Sequence, residues 1–259
     1  MKNTVRWPSS VPESYDDRTI ALTFDVEWAH EEIVRDIVSL LDDHGLQGTF
    51  FVTHDRVLVP GHERGIHPNF RSDGDVFRSL EANVYRSESD MYREIIERTL
   101  AFAPEAVGVR AHSLFFDSRL LPLYRAAGIT YDSSQRSELV TGLMPFWKQF
   151  DILEIPTYYA DYFDIVTGAT EFNLKRLALS APGLKVLDFH PVLVYSNVKT
   201  LSDYEAIKPQ YHDPEKLRKM RYKKRGIRDL FIEVLDAIAS LGTPTSTMSQ
   251  LSEMWRNET

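Results

Sequence analysis

The stretch "TIALTFDVEW", Thr19 to Trp28, decides the fold class, because an apolar run leads directly into two acidic residues. Ile20 to Phe24 has the pattern of a short buried strand. Asp25 and Glu27 follow it with only Val26 between them. Alternate residues of a strand share one face, so both carboxylates can point the same way where the strand ends. A strand that ends in a polar turn, with both acids in water, would show the same pattern.

Strand-like and helical patterns then alternate along the chain. Apolar residues recur at helical spacing from Ile33 to Leu41, and Gly45 is placed to end that helix. Further strands are predicted at 48–52 and 106–112 and from residues 152 and 184, and further helices from Ser87, at 120–127, at 227–241 and after Thr247. This alternation indicates strand–helix units around a parallel sheet.

We predict a single α/β domain over residues 19–259, preceded by an N-terminal extension over residues 1–18. The expected architecture is a (β/α) barrel short of eight full units, and a doubly wound open sheet is the alternative. The pattern alone does not separate them. Both architectures collect their functional residues at the carboxyl ends of the strands.

Composition narrows the function. The 259 residues include no cysteine, so disulfides and thiolate metal sites are excluded, and any metal ion must be held by imidazole and carboxylate groups. The net charge of −8 argues against general nucleic-acid binding. No segment has the apolar core of a signal peptide or the run of about 18 apolar residues that a transmembrane helix needs. We therefore expect no membrane span and cytoplasmic residence.

One segment departs from the acidic balance. Residues 216–228, "KLRKMRYKKRGIR", contain eight lysines and arginines and no acid. The segment is either a solvated helix face or loop, or a cationic patch that binds an anionic substrate such as a phosphorylated or acidic sugar. Arg225 is the candidate substrate contact within it.

Ionisable residues follow four apolar runs, in "TFDVE", "GIHP", "GVRAH" and "LDFHP". The carboxyl ends of parallel strands meet at one edge of a sheet, so these groups are expected to converge. Carboxylates and imidazoles together suit metal-assisted hydrolysis, in which some of them hold a divalent ion and others transfer protons. The candidates are Asp25, Glu27, His67, Arg110, His112 and His190.

Five segments in this order resemble the polysaccharide deacetylases with the NodB homology domain, carbohydrate esterase family 4. The matching segments are "LTFDVEW" from Leu22, "GTFFVTH" from Gly48, "GHERGIHPN" from Gly61, "GVRAH" from Gly108 and "LDFHP" from Leu187. The resemblance covers most of the chain. It implies a distorted (β/α) barrel of about seven strands and a divalent metal ion, most commonly zinc. It also implies hydrolysis of acetyl groups, usually N-acetyl, on sugars.

The resemblance also implies roles for individual residues. Asp25 matches the catalytic base, Arg110 the arginine that braces this base, and His190 the general acid. Val26 stands where many members have a metal-binding aspartate, and Glu27 fits a variant whose metal carboxylate lies two residues after the base. His67 matches the first metal histidine.

The chain departs from the family at the second metal histidine, where it has Arg71. His112 is the preferred substitute because it lies two residues from Arg110, on the same strand face. Asn69, Asp73 and His54 are the other candidates for the third ligand. Tyr158, which follows another predicted strand, is a candidate to stack against a sugar ring, although a half-exposed aromatic residue in a loop is an equal alternative.

The predicted function is therefore metal-dependent deacetylation of a sugar. An intracellular nucleotide- or lipid-linked precursor of a surface polysaccharide is the expected substrate, since no export signal is seen. Two alternatives remain: a hydrolase of a cyclic amide or imide, and a metal-free glycan-binding pseudoenzyme. The sequence does not indicate an oligomeric state.

Overall fold

The computed structural model describes residues 11–72, 74, 77–79 and 87–257 of the chain. Within them, nine strands form one sheet. They are β1 (Ile20–Asp25), β2 (Gly48–Val52), β3 (Glu63–Ile66), β4 (Gly108–Val109), β5 (Tyr131–Asp132), β6 (Phe146–Lys148), β7 (Ile152–Glu154), β8 (Thr157–Ala160) and β9 (Lys185–Phe189).

The α-helices of the same part of the chain cover the sheet or continue from its strands. They are α1 (Glu31–Asp43), α2 (Glu88–Leu100), α3 (Leu120–Ala126), α4 (Asp161–Thr167), α5 (Pro191–Ser196), α6 (Leu201–Ile207), α7 (Pro214–Met220), α8 (Ile227–Leu241) and α9 (Met248–Asn257). Several ends follow the predicted signals. Ser87 caps α2 by accepting from the backbone of Asp90, and Gly45 and Gly242 take left-handed conformations just after α1 and at the end of α8.

The strand order is β6-β7-β5-β4-β3-β2-β1-β9-β8, and every neighbouring pair is parallel except β6 with β7. The sheet curls toward a barrel because the segment after β5 runs alongside β8. Ser137 donates to the carbonyl of Thr157, and Thr157 donates to that of Gln135, both at 2.8 Å. The predicted α/β class and parallel sheet are confirmed. The described sheet has nine strands where about seven were expected, and β6 is an antiparallel addition at its edge.

The strand predicted over 106–112 is much shorter than expected. Only Gly108–Val109 forms regular strand, although Arg110 still donates to the carbonyl of Ile66 at 3.1 Å. Gly108 is required because an added Cβ would lie 1.8 Å from the Tyr131 ring. This close approach seats β4 against β5 and carries the following residues to the carboxyl edge of the sheet.

The opposite, amino edge of the sheet is covered by the segment before β1 and by α9. Trp255 of α9 packs edge-on against Tyr15, with ring centroids 5.7 Å apart. Glu63 accepts hydrogen bonds from Ser249 at the start of α9 and from the Tyr131 hydroxyl, at 2.9 and 2.7 Å. Of the predicted N-terminal extension, residues 11–18 are described, and Tyr15 joins them to the barrel.

Candidate active site

Three metal-ligating side chains converge at the carboxyl edge of the sheet. Glu27 follows β1, His67 follows β3 and His112 follows β4. His112 Nδ1 lies 2.8 Å from Glu27 Oε1, and His67 Nε2 lies 3.4 Å from the same oxygen. The two ring nitrogens are 3.3 Å apart. We call Glu27, His67 and His112 the ligand triad.

The backbone at Glu27 and just after His112 has unfavourable conformations. Glu27 and Trp28 have φ values of 49° and 57°, and Ser113 and Leu114 have values of 57° and 52°. Left-handed conformations cost a non-glycine residue roughly 1–2 kcal/mol, and such strain concentrates at functional sites. Two of the three ligand-bearing loops carry this strain, which supports a functional role for the place where they meet.

The ligand triad fits a divalent metal ion. Metal–nitrogen and metal–oxygen bonds of about 2.1 Å place neighbouring ligand atoms roughly 3.0–3.4 Å apart, depending on geometry. The three observed separations lie close to this range. One carboxylate and two imidazoles also form a common donor set for catalytic zinc, which keeps a position open for water.

Hydrogen bonding stabilises the charged form of Glu27. Burial alone would raise the pKa of this carboxyl, but hydrogen bonds from His112 and His67 outweigh burial and hold the pKa well below its ordinary value. The carboxylate is therefore ionised and able to bind a cation at neutral pH.

A second cluster lies beside the ligand triad and is organised by Arg110. This arginine is fully buried, and its Nη1 donates to Asp25 Oδ1 at 3.0 Å and to Asp188 Oδ1 at 2.8 Å. Its other nitrogens donate to the carbonyl and hydroxyl of Ser133. Burial would raise the pKa of Asp25, but the charges of His67 and Arg110 lower it below its ordinary value, so Asp25 is a carboxylate.

The remaining catalytic candidate, His190, is fixed by a second acid. His190 Nδ1 lies 2.6 Å from Asp161 Oδ1, and its backbone N–H donates to Asp161 Oδ2 at 2.9 Å. Burial would lower the pKa of His190, but Asp161 raises it well above its ordinary value. One carboxylate oxygen of Asp25, one of Asp188 and one ring nitrogen of His190 all lie within 4.8 Å of one another. A protonated imidazole therefore lies close to the Asp25 carboxylate.

Two predicted substrate contacts lie elsewhere. Tyr158 is on β8 with 1% exposure, and its hydroxyl donates to the carbonyl of Leu177, so it offers no ring face to a sugar. Arg225 pairs with Glu233 of α8 and donates to the carbonyl of Phe172. Other arginines of the basic segment also pair with acids: Arg218 with Glu32 and Arg228 with Asp36. The structure therefore supports the interpretation of this segment as a solvated face more than the anion-binding one.

Two of the other candidates for the third ligand have partners outside the triad. His54 Nδ1 contacts the hydroxyl of Thr53 at 3.0 Å, and Asn69 accepts from the backbone of Arg71. Asp73 lies outside the described residues.

Sequence reasoning singled out neither Asp161 nor Asp188. Asp188 lies two residues before His190, the same spacing that drew attention to Asp25 and Glu27, so its place on the shared strand face could have been recognised. Asp161 begins α4, and its contact with His190 comes from the pairing of β8 with β9. No local spacing indicates that contact.

The curled parallel sheet, with acids and imidazoles at its carboxyl edge, is the architecture expected of a polysaccharide deacetylase. A family model described as WbmS-like polysaccharide deacetylase matches residues 22–208, well over half of the chain. The chain therefore belongs to the WbmS-like polysaccharide deacetylases, which confirms the resemblance seen in the sequence.

The solved structures that are similar to this chain include proteins from two bacteria. One is a Bordetella bronchiseptica protein described as a polysaccharide deacetylase involved in O-antigen biosynthesis, with 29% identity, a TM-score of 0.72 and coverage of 85% of this chain and 91% of that one. The other, from Mycobacterium smegmatis, is described in the same terms without a pathway. It has 20% identity, a TM-score of 0.54 and coverage of 97% and 95%. No curated protein matches the sequence significantly.

None of the helices in the described part of the chain combines the length and the apolar character that crossing a bilayer requires.

Proposed function

We propose that the protein is a metal-dependent de-N-acetylase that acts on a sugar. The observation that carries this proposal is the juxtaposition of the ligand triad with Asp25 and His190, since His67 Nε2 lies 3.8 Å from Asp25 Oδ2. A cation-binding group, a carboxylate and a protonated imidazole thus line one site. Metal-assisted hydrolysis of an amide uses these three functions together.

Glu27, His67 and His112 would hold the divalent ion, for which zinc is the proposed identity. When bound there, such an ion acts as a Lewis acid toward the acetyl carbonyl and acidifies a water molecule. Asp25, ionised and held by Arg110, accepts the proton of the attacking water. Arg110 keeps the Asp25 carboxylate in one orientation because the guanidinium is itself fixed by Asp188 and Ser133.

His190 supplies the proton that the departing amine needs. Its Nδ1 is occupied by Asp161, so the proton on Nε2 is the one available for transfer. Asp161 raises the pKa of the imidazole, so His190 enters the reaction protonated. Transfer of this proton to the amine nitrogen lets the carbon–nitrogen bond break without releasing an unstable amide anion.

The substrate we propose is a nucleotide- or lipid-linked sugar precursor of a surface polysaccharide. The similarity to the Bordetella bronchiseptica protein described as acting in O-antigen biosynthesis supports this choice. A cytoplasmic location is part of the same proposal and stays a prediction.

The proposal is tested by acetate release from N-acetylated sugars after loading with zinc. Substitution of the base, Asp25→Asn, should leave zinc affinity within a few-fold and lower kcat by about 10²–10⁴-fold, because only proton transfer is lost. Zinc affinity measured by chelator competition separates the two effects.

Full activity in Asp25→Asn would contradict the assigned role. Zinc binding without acetate release from any sugar, but with ring-opening of a cyclic imide, would favour the alternative hydrolase. Failure to bind any divalent ion would favour a glycan-binding pseudoenzyme.

A further inference from the structure

A cleft of about 370 Å³ lies next to the candidate active site. It is lined by Leu114, Phe116, Ser134, Gln135, Arg136 and Lys148, and we call it the Phe116 cleft. Ligand-binding clefts usually begin at about 300 Å³, so the space admits a small organic group.

The walls of the Phe116 cleft continue directly from the active site. Leu114 follows the triad residue His112 by two positions and has a left-handed backbone conformation. On the other side, the Ser134 hydroxyl accepts a hydrogen bond from the backbone of Ala111 at 2.9 Å. Its neighbour Ser133 holds Arg110. These contacts place the cleft beside the loop that carries His112, so a molecule bound at the ligand triad lies close to its entrance.

One wall carries an ion cluster that the proposed reaction does not use. The Lys148 ammonium lies 2.9 Å from Asp132 Oδ2 and pairs with Glu154. Buried ion pairs contribute little net stability, so the fold alone gives a weak reason for this cluster. An ammonium has three N–H donors, and these two carboxylates accept two of them. The third faces the Phe116 ring, from which it can turn to a ligand oxygen.

The charge of this cluster favours a neutral ligand. Burial raises the pKa of Glu154 to about 8, with a further contribution from the charge of Asp132, although Lys148 opposes the rise. One carboxylate, one ammonium and one protonated carboxyl sum to no net charge near neutral pH. Arg136 is likewise accompanied by Glu138 at 3.4 Å. The cleft is therefore polar without a strong preference for anions.

Phe116 gives the cleft a flat apolar surface. Its side chain is 52% exposed, and Lys148 Nζ lies 4.6 Å from the ring centroid. A sugar ring has an apolar face of C–H groups and a rim of oxygens. It can pack on an aromatic ring while its oxygens accept hydrogen bonds from groups beside that ring. Lys148 and the exposed Gln135 amide are such groups.

From this arrangement we infer that the Phe116 cleft binds a second, neutral sugar residue of the substrate, next to the sugar that carries the acetyl group. The inference rests on the proposed function, which places the acetylated sugar at the ligand triad. The ring of the second sugar packs on Phe116, and its oxygens accept from Lys148 and Gln135. The protein then binds a disaccharide more tightly than the corresponding monosaccharide.

The test compares N,N′-diacetylchitobiose with N-acetylglucosamine by isothermal titration calorimetry on the zinc-loaded protein. The wild type should bind the disaccharide about tenfold more tightly, because one aromatic contact is worth roughly a factor of ten in affinity. Phe116→Ala removes that contact and should bring the two affinities within about twofold. Phe150→Ala is the matched control, since Phe150 is 51% exposed and lies outside the cleft. It should keep the wild-type ratio.

The inference is overturned by a wild type that binds both sugars equally or fails to bind the disaccharide, and by an unchanged ratio in Phe116→Ala. Acetate release, measured in parallel, separates the two proposals. A Phe116-dependent preference without acetate release supports the cleft and contradicts the deacetylase. Acetate release without that preference does the reverse.

Discussion

Arg110 shows how much of this site depends on one residue. Its guanidinium joins Asp25 and Asp188 and is seated on Ser133, so three strand ends meet at one side chain. Lysine could not replace it, because a single ammonium lacks the planar fork that reaches several acceptors at once. The arginine was predictable as a partner of Asp25, whereas the second carboxylate at Asp188 was not foreseen.

The residues that could be predicted are those that end apolar runs. Asp25, Glu27, His67, His112 and His190 each follow an apolar run, and the structure brings them to one edge of the sheet. Tyr158 was misplaced because the sequence suggested a loop after a strand, while the residue lies within β8 and faces the interior. The end of an apolar run is visible in a sequence. Which way the adjacent aromatic residues Tyr158 and Tyr159 face is decided by packing, which the sequence does not show.

At the residue scale, the third ligand can be tested by comparing two histidines. His112→Ala should weaken zinc binding by at least about a hundredfold, since loss of an outer partner alone often costs 10- to 100-fold. His54→Ala is the matched control, because His54 contacts Thr53 and lies outside the triad. Chelator competition gives both constants. A larger loss in His54→Ala would show that the third ligand has been assigned to the wrong histidine.

At the scale of elements, the main helices and strands β1, β2, β7 and β9 followed from periodicity and caps. The other strands were harder to place, because β4 was predicted over 106–112 but has two residues, and β6 joins the sheet by antiparallel pairing with β7. Such strands are defined by neighbours that lie far away in sequence. The expected count of about seven came from the family resemblance, and the described sheet has nine.

The ends of β5, β6 and β7 meet at Asp132, Lys148 and Glu154, and this meeting should make stability depend on pH. Glu154 has an ordinary pKa of 4.5 and one of about 8 in the folded protein. Between these values the folded state binds more protons, so this residue's contribution is complete below pH 4.5 and is lost as the pH rises through 8.

As the pH rises from 5 to 9, the free energy of unfolding of Glu154→Gln should increase relative to that of the wild type by roughly 1–3 kcal/mol, because the amide has no proton to lose. Urea denaturation at several pH values measures the difference. Glu253→Gln, at an exposed position of α9, is the control and should show no such trend. A constant difference across the range would mean that Glu154 ionises normally.

At the scale of the whole molecule, the segment before β1 and helix α9 cover the side of the sheet opposite the active site. Trp255 is buried in a small core with Met248 and Leu251, and it packs on Tyr15. The sequence predicted a last helix that bears Trp255, but gave no sign that the segment before β1 would cover it. Contacts between distant ends of a chain leave no local pattern.

Trp255→Ala should lower the free energy of unfolding by about 3–5 kcal/mol, as expected for removal of a buried tryptophan. Leu58→Ala, at a position with 75% exposure, should cost little. Urea denaturation followed by far-UV circular dichroism compares the two variants. Equal stabilities would show that the barrel does not depend on this closure.

The members of the ligand triad follow β1, β3 and β4. In the sheet, β2 lies between β1 and β3. A cation bound by all three residues would cross-link three loops that are far apart in sequence. The unfolded chain has no preformed site for the ion. Binding of the ion would therefore stabilise the native state by mass action. Metal supply in the cell would then govern how long the protein survives as well as how fast it works.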